Sequence, residues 1–115
     1  MRLLLAEDEA HAGEYLVKGL GENGFTVDWV RNGTDALHHA TTSAYDLIVL
    51  DIGLPGMDGY EVARTIRADE SHSGMLLVAV TGYGSPEARA RAHEAGFDRH
   101  LVKPVTPEEF LGILE

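Results

Sequence analysis

Leu47-Ile48-Val49-Leu50-Asp51-Ile52-Gly53-Leu54-Pro55-Gly56-Met57-Asp58-Gly59 is the stretch on which the fold turns. Four unbroken apolar residues suit a strand buried on both faces of a parallel sheet better than a half-exposed strand. They end on a carboxylate, Asp51, and a Pro-Gly turn follows. Asp58, with Glu61 three places on, reads as a capping box and opens a helix whose Val62 and Ile66 face inward. The unit is an apolar run, a polar tip, a loop and a helix.

That unit recurs along the chain. Apolar runs lie at 2–6, 25–30, 45–50, 76–80 and about 98–102. Between the first two, Ala12, Tyr15, Leu16, Gly19 and Leu20 follow helical spacing, and Asn23-Gly24 supplies a stop. A short helix is expected near 33–42, with Ala36, Leu37 and Ala40 on its inner face. Ser85-Pro86 opens a fourth helix that ends before Gly96, and Thr106-Pro107 with Glu109 opens a fifth. Five strand–helix pairs with no interrupting linker or repeat make one domain over 1–115. Such alternation argues for α/β architecture with right-handed crossovers.

Four polar residues stand where four strands should end: Asp8, Asp51, Thr81 and Lys103. In an open parallel sheet the carboxyl ends share one edge, where ligands bind. Asp8 and Asp51 meet only if strands 1 and 3 are neighbours. The flavodoxin-like, doubly wound (βα)5 order 2-1-3-4-5 makes them so and places Thr81 and Lys103 beside Asp51. Two carboxylates, a hydroxyl and an ammonium suit a phosphoryl group on a carboxylate beside a divalent metal.

Composition narrows the field. The 115 residues carry a net charge of −10, which repels a nucleic-acid backbone, so direct DNA or RNA binding is not expected. Without cysteine there is no disulfide, thiolate metal site or thiol nucleophile. No apolar run approaches the roughly 20 residues of a membrane span, and none looks like a signal peptide, so the expected location is the cytoplasm. Only Glu7-Asp8-Glu9 concentrates acid beyond what solubility needs.

With these residues in place, the chain resembles the receiver domains of response regulators, the phosphorylated (CheY-like) modules of two-component signalling. The resemblance rests on Leu3-Leu-Leu-Ala-Glu7-Asp8-Glu9, Asp51 through Gly59, Val80-Thr81-Gly82 and Leu101-Val-Lys103-Pro104. It implies that Asp51 is the phosphoacceptor, and that Glu7 and Asp8 are the acidic metal-binding pair. Mg²⁺ is the implied cofactor, with Mn²⁺ as a substitute, held by Asp8, Asp51 and the Gly53 backbone carbonyl with Glu7 helping through water. Thr81 and the Gly82 N–H are implied to bond phosphoryl oxygens and Lys103 to pair with another, with a cis peptide before Pro104. His100 occupies the place of a switch aromatic that is more often tyrosine or phenylalanine, so the switch is expected to be weaker or pH-sensitive.

The implied partners are a sensor histidine kinase or phosphotransfer protein, docking on helix 1 (Ala12, Tyr15, Leu16) and at Pro104-Val105. An output domain or downstream protein would read the helix 4–strand 5–helix 5 face; no output domain is expected within 1–115. The domain is not expected to be an enzyme, but to assist its own phosphorylation and slow dephosphorylation. Up to about Asp51 the chain is similar to receivers joined to winged-helix domains. From Gly53 to Val105 it is similar to receivers of hybrid histidine kinases, which implies a recombined or designed domain. The rival readings are such a scaffold with an idle site, and a flavodoxin-like binder of a nucleotide or flavin. Trp29 reads as packing at the end of strand 2, and His11, His38, His39 and His72 as surface groups.

Overall fold

A computed structural model describes residues 1–72 and 74–114 of the chain. Strands β1 (Arg2–Ala6), β2 (Thr26–Val30), β3 (Leu47–Asp51), β4 (Leu76–Thr81) and β5 (Arg99–Val102) pair in parallel in the order β2-β1-β3-β4-β5. Helices α1 (Ala10–Glu22), α2 (Gly33–Thr42), α3 (Gly59–Ala68), α4 (Pro86–Ala95) and α5 (Pro107–Ile113) form the crossovers. The expected class, pairing and order are all present. A short 3-10 turn at Glu70–His72, for which the apolar pattern gives no signal, precedes β4.

The apolar runs work because successive strand residues point to opposite faces. Leu3, Leu5, Leu47, Val49, Val78 and Val80 pack beneath α1 and α5. Leu4, Ile48, Leu50, Leu77 and Ala79 pack beneath α2, α3 and α4. Both faces of the central strands are therefore dry, and each fully buried leucine contributes roughly 1.5–3 kcal/mol relative to exposure. β2 departs from this pattern: as an edge strand it leaves Val27, Asp28 and Trp29 half-buried.

The helix ends follow the sequence. Asp58 caps α3 by accepting the Glu61 N–H at 2.9 Å, and Ser85 caps α4 by accepting the Ala88 N–H at 3.2 Å. Gly96 closes α4 in the left-handed region, with φ of 106°, where glycine costs least. Glu109 reaches back to the Thr106 N–H at the start of α5, at 3.2 Å. In α1 the buried stripe is Gly13, Leu16 and Leu20, whereas Tyr15 is 54% exposed. Glu9 caps α1, accepting the His11 and Ala12 N–H groups at 3.1 and 2.6 Å.

At the end of the sheet away from the polar tips, Arg67 clamps three segments. Its guanidinium donates to Gly96 O at 2.8 Å, Met75 O at 2.6 Å and Asp98 Oδ2 at 2.7 Å. Asp98 Oδ2 also accepts the Leu77 N–H at 2.8 Å. α4 is held more lightly, with only Ala92 and Ala95 buried on its inner face. Arg91 of α4 lies over the Tyr60 ring at 4.4 Å.

Candidate functional site: an acidic cleft at the carboxyl edge of the sheet

Register brings the polar tips together. Ala6 pairs with Leu50 across β1 and β3, so the next rung sets Glu7 beside Asp51. Thr81 pairs with Val102 across β4 and β5, and the Lys103 N–H donates to Thr81 O at 2.8 Å. Asp51, Gly53, Thr81, Gly82 and Tyr83 line a cleft of about 460 Å³. The Lys103–Pro104 peptide is cis, as expected.

Three charged side chains meet at close range. Lys103 Nζ lies 2.6 Å from Asp51 Oδ2 and 3.1 Å from Glu7 Oε1. The Gly53 N–H donates to Asp51 Oδ1 at 3.0 Å, and the Glu9 N–H to Glu7 Oε2 at 3.0 Å. Glu7 and Asp51 are buried, with 3% and 6% of their surface exposed, while Asp8 is exposed. The Thr81 hydroxyl accepts the Tyr83 N–H at 3.2 Å and lies in the cleft wall.

The electrostatics show an unbalanced site. Burial pushes the Glu7 carboxyl above its ordinary pKa; the Glu9 N–H opposes this, and the Asp51 charge adds to it. Burial alone would lower the Lys103 pKa, but hydrogen bonds and charge from Asp51 and Glu7 together outweigh it and hold the ammonium above its ordinary value. Ligand oxygens of Glu7, Asp8 and Asp51 all lie within 4.8 Å of one another. One ammonium faces three carboxylates, so the cluster fits a divalent cation by both charge and donor type. Hard oxygen ligands on one or two carboxylates are what Mg²⁺ takes.

His100 lies on β5, half-buried, with both ring nitrogens covered and without a hydrogen-bond partner. Burial, and secondarily the charge of Arg89, lower its pKa below the ordinary 6.5. The neutral ring is thus favoured in the folded state. That contribution to stability is complete above pH 6.5 and is lost as pH falls through the lowered folded value. Urea midpoints of the parent should therefore drop more steeply between pH 7 and 5 than those of His100→Phe; parallel profiles would exclude His100 as the titrating group.

Two residues near the site escaped the sequence reading. Trp29 does not merely pack: its indole N–H donates to the Glu7 carbonyl at 2.9 Å. Arg31 Nη2 donates to the Asp8 carbonyl at 2.9 Å. Side-chain bonds to a loop backbone leave no trace in hydrophobic periodicity; the only available signal was a large polar-tipped ring at the end of an edge strand.

Comparison with known proteins places these features in a family. The response regulator receiver domain model matches residues 3–115, and the chain belongs to that family. It is a receiver domain, the phosphoacceptor module of two-component signalling, as the motifs implied. The transcriptional regulatory protein CusR of Escherichia coli (strain K12) is 45% identical over 111 residues, covering 96% of this chain and 48% of CusR. The chain thus spans about half the length of that curated relative. This match takes in both sides of Asp51 and lends no support to a recombined or designed origin.

Two solved structures share the fold at useful identity. The chemotaxis response regulator CheY4 of Vibrio cholerae superposes with a TM-score of 0.91 at 26% identity, covering 98% of this chain and 94% of that one. The receiver domain of the sensor histidine kinase PA1611 from Pseudomonas aeruginosa PAO1 superposes at 0.84 with 32% identity, covering 98% and 93%. That structure holds a magnesium ion coordinated in its active site cleft. Among the described residues of the present chain, no helix is long and apolar enough to cross a membrane.

Proposed function

We propose that the domain accepts a phosphoryl group from a phosphohistidine donor onto an Asp51 oxygen. The observation that carries this reading is the Asp51 carboxylate, seated in an open cleft, 2.6 Å from Lys103 and within reach of Glu7 and Asp8. An Asp51 oxygen attacks phosphorus and the P–N bond to the donor imidazole breaks. The electron pair stays on that nitrogen, and the product is an aspartyl phosphate. Phosphoryl transfer asks mainly for positioning and for spreading negative charge. Lys103 supplies a fixed positive charge, and Thr81 Oγ1 and the Gly82 N–H supply donors for the transferred oxygens.

Asp8, Asp51 and the Gly53 carbonyl would hold Mg²⁺ or, in its place, Mn²⁺, with Glu7 assisting; when bound, the ion supplies the charge neutralisation that lets an anionic donor approach a carboxylate. Among the described residues lining the cleft there is no histidine to serve as a general base toward water, and its one glutamate, Glu87, is exposed to solvent in the first turn of α4. Slow self-dephosphorylation fits that lining, and the domain acts as a phosphoacceptor rather than an enzyme with turnover on other substrates.

The kinase or phosphotransfer partner is assigned to the groove lined by His11, Ala12, Tyr15, Pro104 and Val105, which opens beside Glu7 and Lys103. The output partner is assigned to the α4–β5–α5 face, where the thinly seated α4 and the unpaired His100 ring offer the parts that can move. A cytoplasmic location accords with a histidine-kinase donor.

Intact-mass spectrometry after incubation with acetyl phosphate tests the reading. The parent should gain one phosphoryl group with Mg²⁺ and none in its absence, and Asp51→Asn should gain none. A gain that survives Asp51→Asn would reassign the acceptor, and no gain by the parent under any condition would leave an idle site.

A further inference from the structure

The loop that carries Glu7 and Asp8 has just left the ladder, whose last β1–β2 rung is Ala6 with Val30. A loop at that position exposes carbonyls with no strand partner, and an unpaired polar group in a half-buried site is costly. Here each carbonyl is caught from a different direction. The Glu7 carbonyl accepts the Trp29 indole N–H at 2.9 Å, and the Asp8 carbonyl accepts Arg31 Nη2 at 2.9 Å. The Glu9 carbonyl accepts the Gly13 N–H of α1 at 3.0 Å, and the Glu7 N–H donates to Val30 O at 3.0 Å.

The ring that does this is itself seated. A Cβ on Gly13 would stand 2.1 Å from Trp29 Cζ2, so α1 passes the indole where only glycine fits. The Arg31 guanidinium lies 5.6 Å from the ring centroid. Arg31 grips the backbone of Asp8 rather than its carboxylate, which leaves both carboxylate oxygens free to ligate.

We infer that Trp29 and Arg31 are positioning residues for divalent-cation binding: by holding the Glu7 and Asp8 carbonyls they fix the orientation of the two carboxylates. This rests on the reading of Glu7, Asp8 and Asp51 as the cation site. Groups that orient metal ligands typically govern about 10–100-fold in affinity. This strap is partly exposed, so the expected loss is smaller, about three- to tenfold.

The test is Mg²⁺ titration by calorimetry of the parent, Trp29→Phe, Arg31→Ala and Arg31→Lys. Working at about 0.5 M KCl screens the charge of residue 31 itself. Trp29→Phe keeps an aromatic ring, though a smaller one, and removes the N–H; it and Arg31→Ala should each weaken binding three- to tenfold, and Arg31→Lys should recover part of the loss. Trp29 is the sole tryptophan, so the parent's emission should also change with Mg²⁺ at the calorimetric midpoint. Val27→Ala thins the packing of β2 without touching the strap and should bind as the parent does.

A Trp29→Phe affinity equal to the parent's, or an equal loss in Val27→Ala, overturns the strap. If the parent binds Mg²⁺ and is phosphorylated in that case, the phosphoacceptor reading stands without it. A parent that binds no Mg²⁺ sinks both.

Discussion

Lys103→Ala should slow phosphorylation of Asp51 by about 10²–10³-fold, the usual cost of removing one preorganised group from a site of developing charge. The variant should also steepen the site's pH response. With Nζ gone, Glu7 and Asp51 are left buried at 3% and 6% exposure with no cation beside them. Two such carboxylates cannot both ionise cheaply, so the Glu7 pKa, already raised by burial, should rise further. A raised acid contributes stability below its unfolded value near 4.5 and loses it as pH climbs through the folded value. The urea midpoint of Lys103→Ala should therefore fall between pH 5 and 8 by more than the parent's.

Lys103→Arg separates the two roles. A guanidinium restores positive charge and hence stability, but its planar fork does not match the compact ammonium seated between Asp51 and Glu7. Stability should return while the phosphorylation rate, read by the same intact-mass assay, stays low. A rate within tenfold of the parent in Lys103→Ala would remove this residue from the phosphoryl site.

Gly33→Ala carries the largest expected loss of stability. Gly33 opens α2, and its N–H donates to Pro55 O at 3.2 Å. A Cβ there would stand 1.5 Å from Met57 O and 2.5 Å from Met57 C. Both are backbone atoms and cannot rotate away, so α2 and the β3–α3 loop must separate. Overpacking a tight core usually costs about 1–3 kcal/mol; with backbone on both sides about 3 kcal/mol or more is expected. At roughly 4–8 °C per kcal/mol for a small domain, the melting temperature should drop by more than about 12 °C.

The same loop runs through Gly53, so phosphorylation should weaken as well. Gly21→Ala is the matched control: nothing lies within 4 Å of its Cβ, and alanine in a helix gains up to about 1 kcal/mol over glycine. Equal melting temperatures for the parent and Gly33→Ala would show that the loop yields freely.

Lys103 and Gly33 differ in how plainly the sequence shows what they do. Strand identity, order and the converging tips could be read from the residues because buried parallel strands are written as plain apolar runs, and each ends on a residue type too polar to continue them. Caps at Asp58, Ser85 and Thr106 were legible because a side chain serves its own nearby backbone. The rest depends on contacts between residues distant in sequence. Arg67 looks like any solvated arginine of an amphipathic helix until Met75, Gly96 and Asp98 are folded around it. Gly13 and Gly33 look like weak points in helices, and only the approach of Trp29 and Met57 shows why nothing larger stands there. Tyr15 fitted the apolar spacing of α1 yet is exposed, because the buried stripe runs through Gly13, Leu16 and Leu20, and a residue two places after Gly13 stands about 200° round the helix from it.

The contrast between the Arg67 clamp and the alanine seat of α4 sets up a gradient of cohesion across the molecule. At one end, a guanidinium ties α3 to the approach to β4, to the Gly96 cap of α4 and to the entry to β5. Away from that cap, α4 buries only Ala92 and Ala95, each worth little more than a methyl group, so the turns that lead back toward the cleft can unfasten at small cost. Amide protons of α4 should consequently escape to solvent through local openings far below the global unfolding free energy, while those of β3 and β4 wait for global unfolding. The lightly fastened end is the one that borders Asp51.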